Sequence, residues 1–402
     1  MVLKRFIILL SFIFIFDCHY GFAEALKIEP GIVINKQNCE SYLPELKTLL
    51  WPGAFHTIIN GVKNGWISLP VVEKGKLKAP ENFIKWTLKN KDKCRVISGN
   101  KCVGWKAGLP FTDPKNGAEL AINMEKVHQA CEQYYIIFDY LLYDKNSNLE
   151  RSFALFLYGR YWMGRTQMPP VPEEPGNNGL IRLKESIVVF RPFDVKGFIQ
   201  LRVRYDDVQK DDEVYSYIPA IRRLRRLTGA DVTDPILGSD VPNDDFECIR
   251  QKINPKMTFN TLPSKNFLVP AFPSKKPVRS KDMRNCIQVN WQIRQLRTLE
   301  IYPNDPNYCY KKRVIYIDPA GMLAALWGSE NYDMKGRLWR GWSQVVHARD
   351  PETYITAKPW YSILAFDHLS GHSSLLDMIP ESPSPVATKD KFNISALVKI
   401  AR

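Results

Sequence analysis

The stretch Tyr134–Gly164, YYIIFDYLLYDKNSNLERSFALFLYGRYWMG, decides the fold. Two apolar runs flank a turn at Asn146–Asn148. A strand sends successive side chains to opposite faces. In the second run Phe153, Leu155, Leu157 and Tyr161 share one parity, and Ala154, Phe156, Tyr158 and Trp162 share the other. An antiparallel strand with one wet face alternates apolar with polar. Apolar residues on both parities therefore imply a sheet that is covered on one side and lines something apolar on the other. That something is either ordinary core or a ligand cavity.

Strand patterns continue downstream. ESIVVF (Glu185–Phe190) and GFIQLRVRYDD (Gly197–Asp207) form a pair, and Cys286–Tyr302, Lys311–Asp318, Leu338–Arg349 and Tyr354–Asp367 read as further strands. Leu262–Pro277 has neither period and reads as an extended loop. Upstream, Cys39–Leu50, Ala79–Lys89 and Ala118–Cys131 carry helical spacing. The expected fold is mainly β (α+β): one large, curved, unclosed antiparallel sheet with helices packed on it. The expected division is a signal peptide over 1–25, a helical part of the domain over 26–132, its sheet over 133–380, and a flexible spacer with a short tail over 381–402.

The stretch Tyr215–Phe246, YSYIPAIRRLRRLTGADVTDPILGSDVPNDDF, follows the first group of strands. It begins as a strand and then carries Arg222, Arg223, Arg225 and Arg226. An acidic loop with Asp231, Asp234, Asp240, Asp244 and Asp245 comes next. Arginine and carboxylate make strong, oriented pairs. One reading is a structural clamp, in which these arginines hold Asp240, Asp244 and Asp245 against the sheet edge. The other is a docking surface for a partner or an anionic headgroup.

The first residues point to export. Lys4 and Arg5 precede an apolar run, Phe6–Phe16, and Ala23-Glu24-Ala25 offers a cleavage site. The run is too short to span a bilayer comfortably. Asp17 before Cys18 argues against a lipoprotein signal. The net charge is +14. An exported basic protein suits anionic surfaces, while nucleic acid is not expected in that compartment. Seven cysteines follow the cleavage site. Export permits disulfides; Cys94 with Cys102 and Cys286 with Cys309 are the expected local pairs, and Cys39 with Cys131 a longer one.

Catalytic signatures are sparse. His368 and His372 have metal-like spacing, but Ser370 and Gly371 make the segment a turn. There is no GxSxG elbow, and Asp244 and Asp245, being adjacent, point apart. No cofactor, metal or enzymatic activity is expected. The aromatics Tyr158, Trp162, Phe190, Tyr205, Tyr217, Trp291, Tyr316 and Trp339 fall on expected strands, where they serve core packing or line a cavity.

Three ordered segments carry a resemblance: AGLPFTDPKNGAELAIN (Ala107–Asn123), YSYIPAIRRLRRL with GSDVPNDDF (Tyr215–Phe246), and YKKRVIYIDPAGMLAALWGSENYDMKGRLWR (Tyr310–Arg340). Together they resemble the bacterial family called domain of unknown function 1329. The resemblance implies a fold like the lipoprotein carriers LolA and LolB, an unclosed barrel cupping an apolar cavity with helices as a lid. It also implies a periplasmic location and an association with outer-membrane proteins and resistance–nodulation–division exporters. The function expected from it is a monomeric carrier or chaperone for a lipid or other hydrophobic ligand, moving between an inner-membrane exporter and the outer membrane. The alternative is a structural adaptor for such proteins, without ligand.

Overall fold

The computed structural model describes residues 27–126, 132–227, 233–246, 252–271, 279–322, 325–346, 360–381 and 386–401. The expected signal peptide over 1–25, with Cys18, and also Cys131, Cys248, Asp231 and His347 lie outside these. Four helices occupy the N-terminal part: α1 (Cys39–Leu49), α2 (Pro52–Lys63), α3 (Glu81–Asn90) and α4 (Gly117–Lys126). Pro52 starts α2 at a position where its missing N–H costs nothing. Asn116 starts α4: its side-chain oxygen accepts from the Glu119 N–H at 3.0 Å, while Glu119 accepts from the Lys115 N–H at 2.7 Å. Two small ribbons accompany them, β1 (Val33–Ile34) with β2 (Leu69–Pro70), and β3 (Arg95–Ile97) with β4 (Lys101–Val103).

The remaining strands build one thirteen-stranded antiparallel sheet. They are β5 (Gln133–Tyr143), β6 (Leu149–Tyr161), β7 (Ile181–Arg191), β8 (Ile199–Tyr205), β9 (Glu213–Ile218), β10 (Arg223–Leu227), β11 (Thr258–Pro270), β12 (Trp291–Tyr302), β13 (Lys312–Asp318), β14 (Ala325–Tyr332), β15 (Leu338–Val346), β16 (Trp360–Asp367) and β17 (Ser373–Glu381). Their order across the sheet is β10-β9-β8-β7-β6-β5-β17-β16-β15-β14-β13-β12-β11. The last strand in sequence thus joins β5 and welds two meanders into one sheet, with β10 and β11 as unpaired edges. The segment Leu262–Pro277, read from sequence as a loop, supplies much of edge strand β11. Its polar first half defeats a period-2 reading because edge strands carry charged and polar residues.

The sheet curls strongly toward one face. Arg202 on β8 donates to the carbonyl of Asn243 at 3.3 Å, and Arg313 on β13 donates to the carboxylate of Asp245 at 2.7 Å. In a flat sheet β8 and β13 would stand roughly 38 Å apart at the usual strand spacing. Two residues of one loop span them here, so the sheet wraps around that loop. The wrapped face is the interior.

Side chains sort accordingly. Tyr134, Ile136, Phe138, Tyr140, Leu155 and Leu157 point inward and are buried. Gly159 faces inward beneath Tyr134: a Cβ there would stand 1.9 Å from the ring, so only glycine admits it. α4 closes the interior near β11–β13, packing Leu120 and Met124 with Leu299, Ile301, Ile315 and Ile317. On the outer face, α1 and α2 cover one side. The other is covered by the C-terminal helix α5 (Ile394–Ala401), whose Leu397 joins Phe392, Tyr158, Trp162 and Leu201 in a separate cluster. The short tail expected from sequence is thus a packed helix.

Candidate functional site

The acidic loop lies inside the cup. Ile236, Val241 and Phe246 are buried among the interior strands. Asp245 accepts from Arg313 and, at 2.5 Å, from the Tyr310 hydroxyl. Asp244 accepts from the Tyr308 hydroxyl at 3.0 Å. Ser374 donates to Asp240 at 2.7 Å and accepts from the Asp240 N–H at 3.0 Å. Ser239 meets the Tyr140 hydroxyl. Beside Phe246 and Arg202 about 10 Å³ of void is left, space for a water and not for a larger ligand. The segment 236–246 is therefore a plug. Burial pushes the Asp244 carboxyl above its usual range, with Arg202 and Arg313 opposing. Burial alone would lower the Arg313 guanidinium, but Tyr308, Asp245, Tyr310 and Asp244 hold it above its ordinary value.

This corrects the expected clamp. Asp240, Asp244 and Asp245 are held by Ser374, Tyr308, Tyr310 and Arg313, a buried cation from a strand far along the chain. Arg222, Arg223, Arg225 and Arg226 stand exposed on the β9–β10 hairpin. Among the described residues this cluster forms an ion pair through Arg226, with Glu213 at 3.5 Å. Proximity in sequence misled because the chain leaves the edge strand and dives into the cup.

A second site lies on the outer face beneath α2. An apolar pocket opens between α2, β15 and β16, bounded by Trp51, Ile58, Ile67, Val289, Trp291 and Val345. It encloses ≈ 70 Å³ of void, or ≈ 590 Å³ of free space with its open mouth included. The enclosed void is smaller than the about 300–1,000 Å³ of typical small-molecule sites, so a bound ligand would extend into the open mouth. α2 is fastened at its start. Trp51 stacks on Tyr316 with ring centroids 4.6 Å apart and planes 15° from parallel. The Gly53 N–H donates to Glu330 at 2.7 Å, placing a carboxylate at the positive end of the helix.

The aromatics expected to line a cavity divide. Trp291 lines the pocket and Tyr316 backs it through Trp51. Tyr158, Trp162, Tyr205 and Tyr217 lie in the cluster under α5, and Phe190 stacks on Phe156 at 4.3 Å. Trp339 donates to Asp367 at 2.9 Å beside Tyr310. Trp51, Ile58 and Ile67 were missed. They lie outside the strand segments, and Pro52-Gly53, a helix-breaking pair in sequence, stands where α2 begins.

The cysteine pairs also change. Cys39, Cys94, Cys102, Cys286 and Cys309 are all free thiols. Cys94 and Cys102 do meet as hydrogen-bonded thiols, which lowers Cys94 below its ordinary value. Cys286 is buried beside the pocket and pushed up to about 12 by burial, whereas Cys309 stands near Asp245 and Arg313. They cannot pair, because the first serves the outer pocket and the second faces the plug. Among the described residues no group of His, Cys, Asp and Glu is placed to hold a metal ion, and no helix is long and apolar enough to cross a membrane.

His368 gives the α2 anchor a pH dependence. It packs against Gly53 and Gly341, with the His56 ring 5.6 Å away. Its Nε2 is buried and finds no partner among the described residues. Burial first, then His56, lowers it to about 4. A depressed histidine takes up its proton in the unfolded chain first, so stability is lost as pH falls from about 6.5 toward 4. The buried Glu330, raised by burial, works in the opposite direction. Comparison with His368→Gln isolates the histidine. Wild type is expected to lose up to about 3 kcal/mol relative to the variant across that interval, read by urea unfolding at each pH.

The fold is a mainly β half-barrel, wrapped around its own plug and flanked by helices. Residues 33–397 match the model of a family described as protein of unknown function (DUF1329), and the chain belongs to that family. A DUF1329 family protein from Desulfovibrio piger shares 17% identity, with a TM-score of 0.50 over 70% of this chain and 97% of that one, and shows the same fold. A domain assigned to outer membrane lipoprotein sorting from Vibrio parahaemolyticus matches at 19% identity and a TM-score of 0.49, over 70% and 97% of the two chains. A LolA superfamily protein from Nitrosomonas europaea matches more loosely, at 13% identity and 0.38, over 66% and 97%. A search of functionally curated proteins finds no match.

Proposed function

We propose that this protein is an exported, non-enzymatic carrier that holds a lipid or other hydrophobic small molecule in the pocket beneath α2. The observation that carries the reading is the pocket itself: an open-mouthed apolar recess under an anchored helix, walled by Trp51, Trp291, Ile58 and Val345. Binding would be driven by burial of apolar surface, about 25 cal/mol per Å². The charged start, the apolar run and Ala23-Glu24-Ala25 support passage to the periplasm. There the carrier would pass cargo between an inner-membrane exporter, such as one of the resistance–nodulation–division type, and the outer membrane.

A second reading has its own support. The interior is filled by the segment 236–246, which favours a structural adaptor for an exporter or outer-membrane protein without cargo. Native mass spectrometry of protein purified from its own cell envelope separates the two. A co-purified hydrophobic molecule in stoichiometric amount is expected. A chain of bare mass, from material never exposed to detergent, would favour the adaptor.

A further inference from the structure

The register places the hairpin turns of β9–β10, β7–β8, β5–β6, β16–β17 and β14–β15 in succession at one end of the sheet, followed by the longer β12–β13 connection, which bears no exposed large apolar side chain among the described residues. Ile199 pairs with Tyr217, Ala154 with Arg191, Ser373 with Tyr143, and Arg340 with Asp367, so these turns share one rim. Each turn lifts a large apolar side chain into solvent. In that order they are Ile221 at 56% exposure, Phe193 at 92%, Leu149 at 55%, Leu369 at 47% and Met334 at 52%. Single exposed apolar residues are ordinary. One on each of five neighbouring turns is a pattern.

Cations stand between them. Lys145, Lys196, Arg222, Arg223 and Lys335 are exposed on four of these turns and form no ion pair among the described residues. The acids of the rim are engaged within it. Asp194 pairs with Arg151 at 2.5 Å and Asp333 with Arg337 at 2.7 Å. Asp144 accepts from the backbone of Asn146 and Asn148, and Glu150 faces His372 at 3.7 Å. Apolar tips that enter the headgroup layer, interleaved with unpaired cations, complement an anionic bilayer surface. A protein partner would ask for a continuous desolvated patch, whereas these tips are separated around the end of a curled sheet.

We propose that this rim is a membrane-docking surface for a bilayer bearing anionic headgroups. It seats the cup end-on, with the Phe193, Ile221, Leu149, Leu369 and Met334 tips in the interface and the Arg222–Arg223 turn against lipid phosphate. The surface needs no cargo and is independent of the pocket beneath α2.

The test is flotation of the mature chain with phosphatidylglycerol-containing vesicles and with pure phosphatidylcholine vesicles. Binding to the anionic vesicles is expected, weakening as salt rises. Arg222→Ala and Arg223→Ala should each weaken it about fivefold, at ~1 kcal/mol per cation near the surface. Phe193→Asp should weaken it further at unchanged unfolding midpoint, since that side chain packs on nothing. Lys85→Glu with Lys91→Glu, on and just after α3, changes the net charge without touching the rim and should have little effect. Equal loss in this control, or retention of binding by the rim variants, would overturn the proposal. So would salt-resistant capture of a soluble envelope protein that uses the same residues without lipid.

Discussion

Arg313→Met is expected to lower the unfolding free energy by about 3–5 kcal/mol, the usual cost of removing one partner from a buried ion pair. Arg313 is fully buried, and its guanidinium reaches the Asp245 carboxylate, the Asp244 carbonyl, the Tyr308 hydroxyl and Asn331. Methionine fills much of the space but leaves Asp245 charged in the interior. Pairing the change with Asp245→Leu should recover part of the loss, a coupling of about 0.5–3 kcal/mol in a double-mutant cycle read by urea unfolding. Arg223→Ala and Arg225→Ala, on the exposed hairpin, should stay within about 0.5 kcal/mol of wild type. The reverse ranking would restore the clamp that the sequence suggested.

Trp51→Ala is expected to cost a similar amount, about 3–5 kcal/mol, as for other buried tryptophans cut to alanine. The indole is 3% exposed, stacks on Tyr316 and covers Gly328, where a Cβ would lie 2.5 Å from the ring. It therefore fastens α2 to the sheet and walls the pocket. The variant should unfold earlier in urea and should also change affinity for an environment-sensitive apolar probe. Tyr217→Ala, under α5, should leave probe affinity as in wild type. A stable Trp51→Ala protein with unchanged probe affinity would remove the indole from both roles.

The sheet was readable where physics is local. Doubly apolar strands such as Phe153–Tyr161 announce a covered sheet, and the alternation of Ile199–Tyr205 announces β8. β11 was not readable, because an edge strand with a polar first half lacks the period. The site was less legible still. Four arginines and three aspartates in one stretch look like partners when only sequence distance is considered. The cup brings Arg313 to Asp245 across 68 residues, and that choice depends on curvature. Trp291 lines the pocket beneath α2, whereas Tyr158, Trp162, Tyr205 and Tyr217, with similar composition and strand context, do not. Only the position of α5 assigns them to a different cluster.

On the proposed function, cargo lies beneath α2 and not in the cup. A photoactivatable fatty acid, bound to the native protein, irradiated and mapped by peptide mass spectrometry, tests it most directly. Label is expected on Trp51, Ile58 and Ile67 and on the 285–291 and 343–345 segments that face the pocket. Label concentrated on Ile236, Val241 or Phe246, or on the inward residues of β5 and β6, would contradict it by showing that the plug yields to ligand.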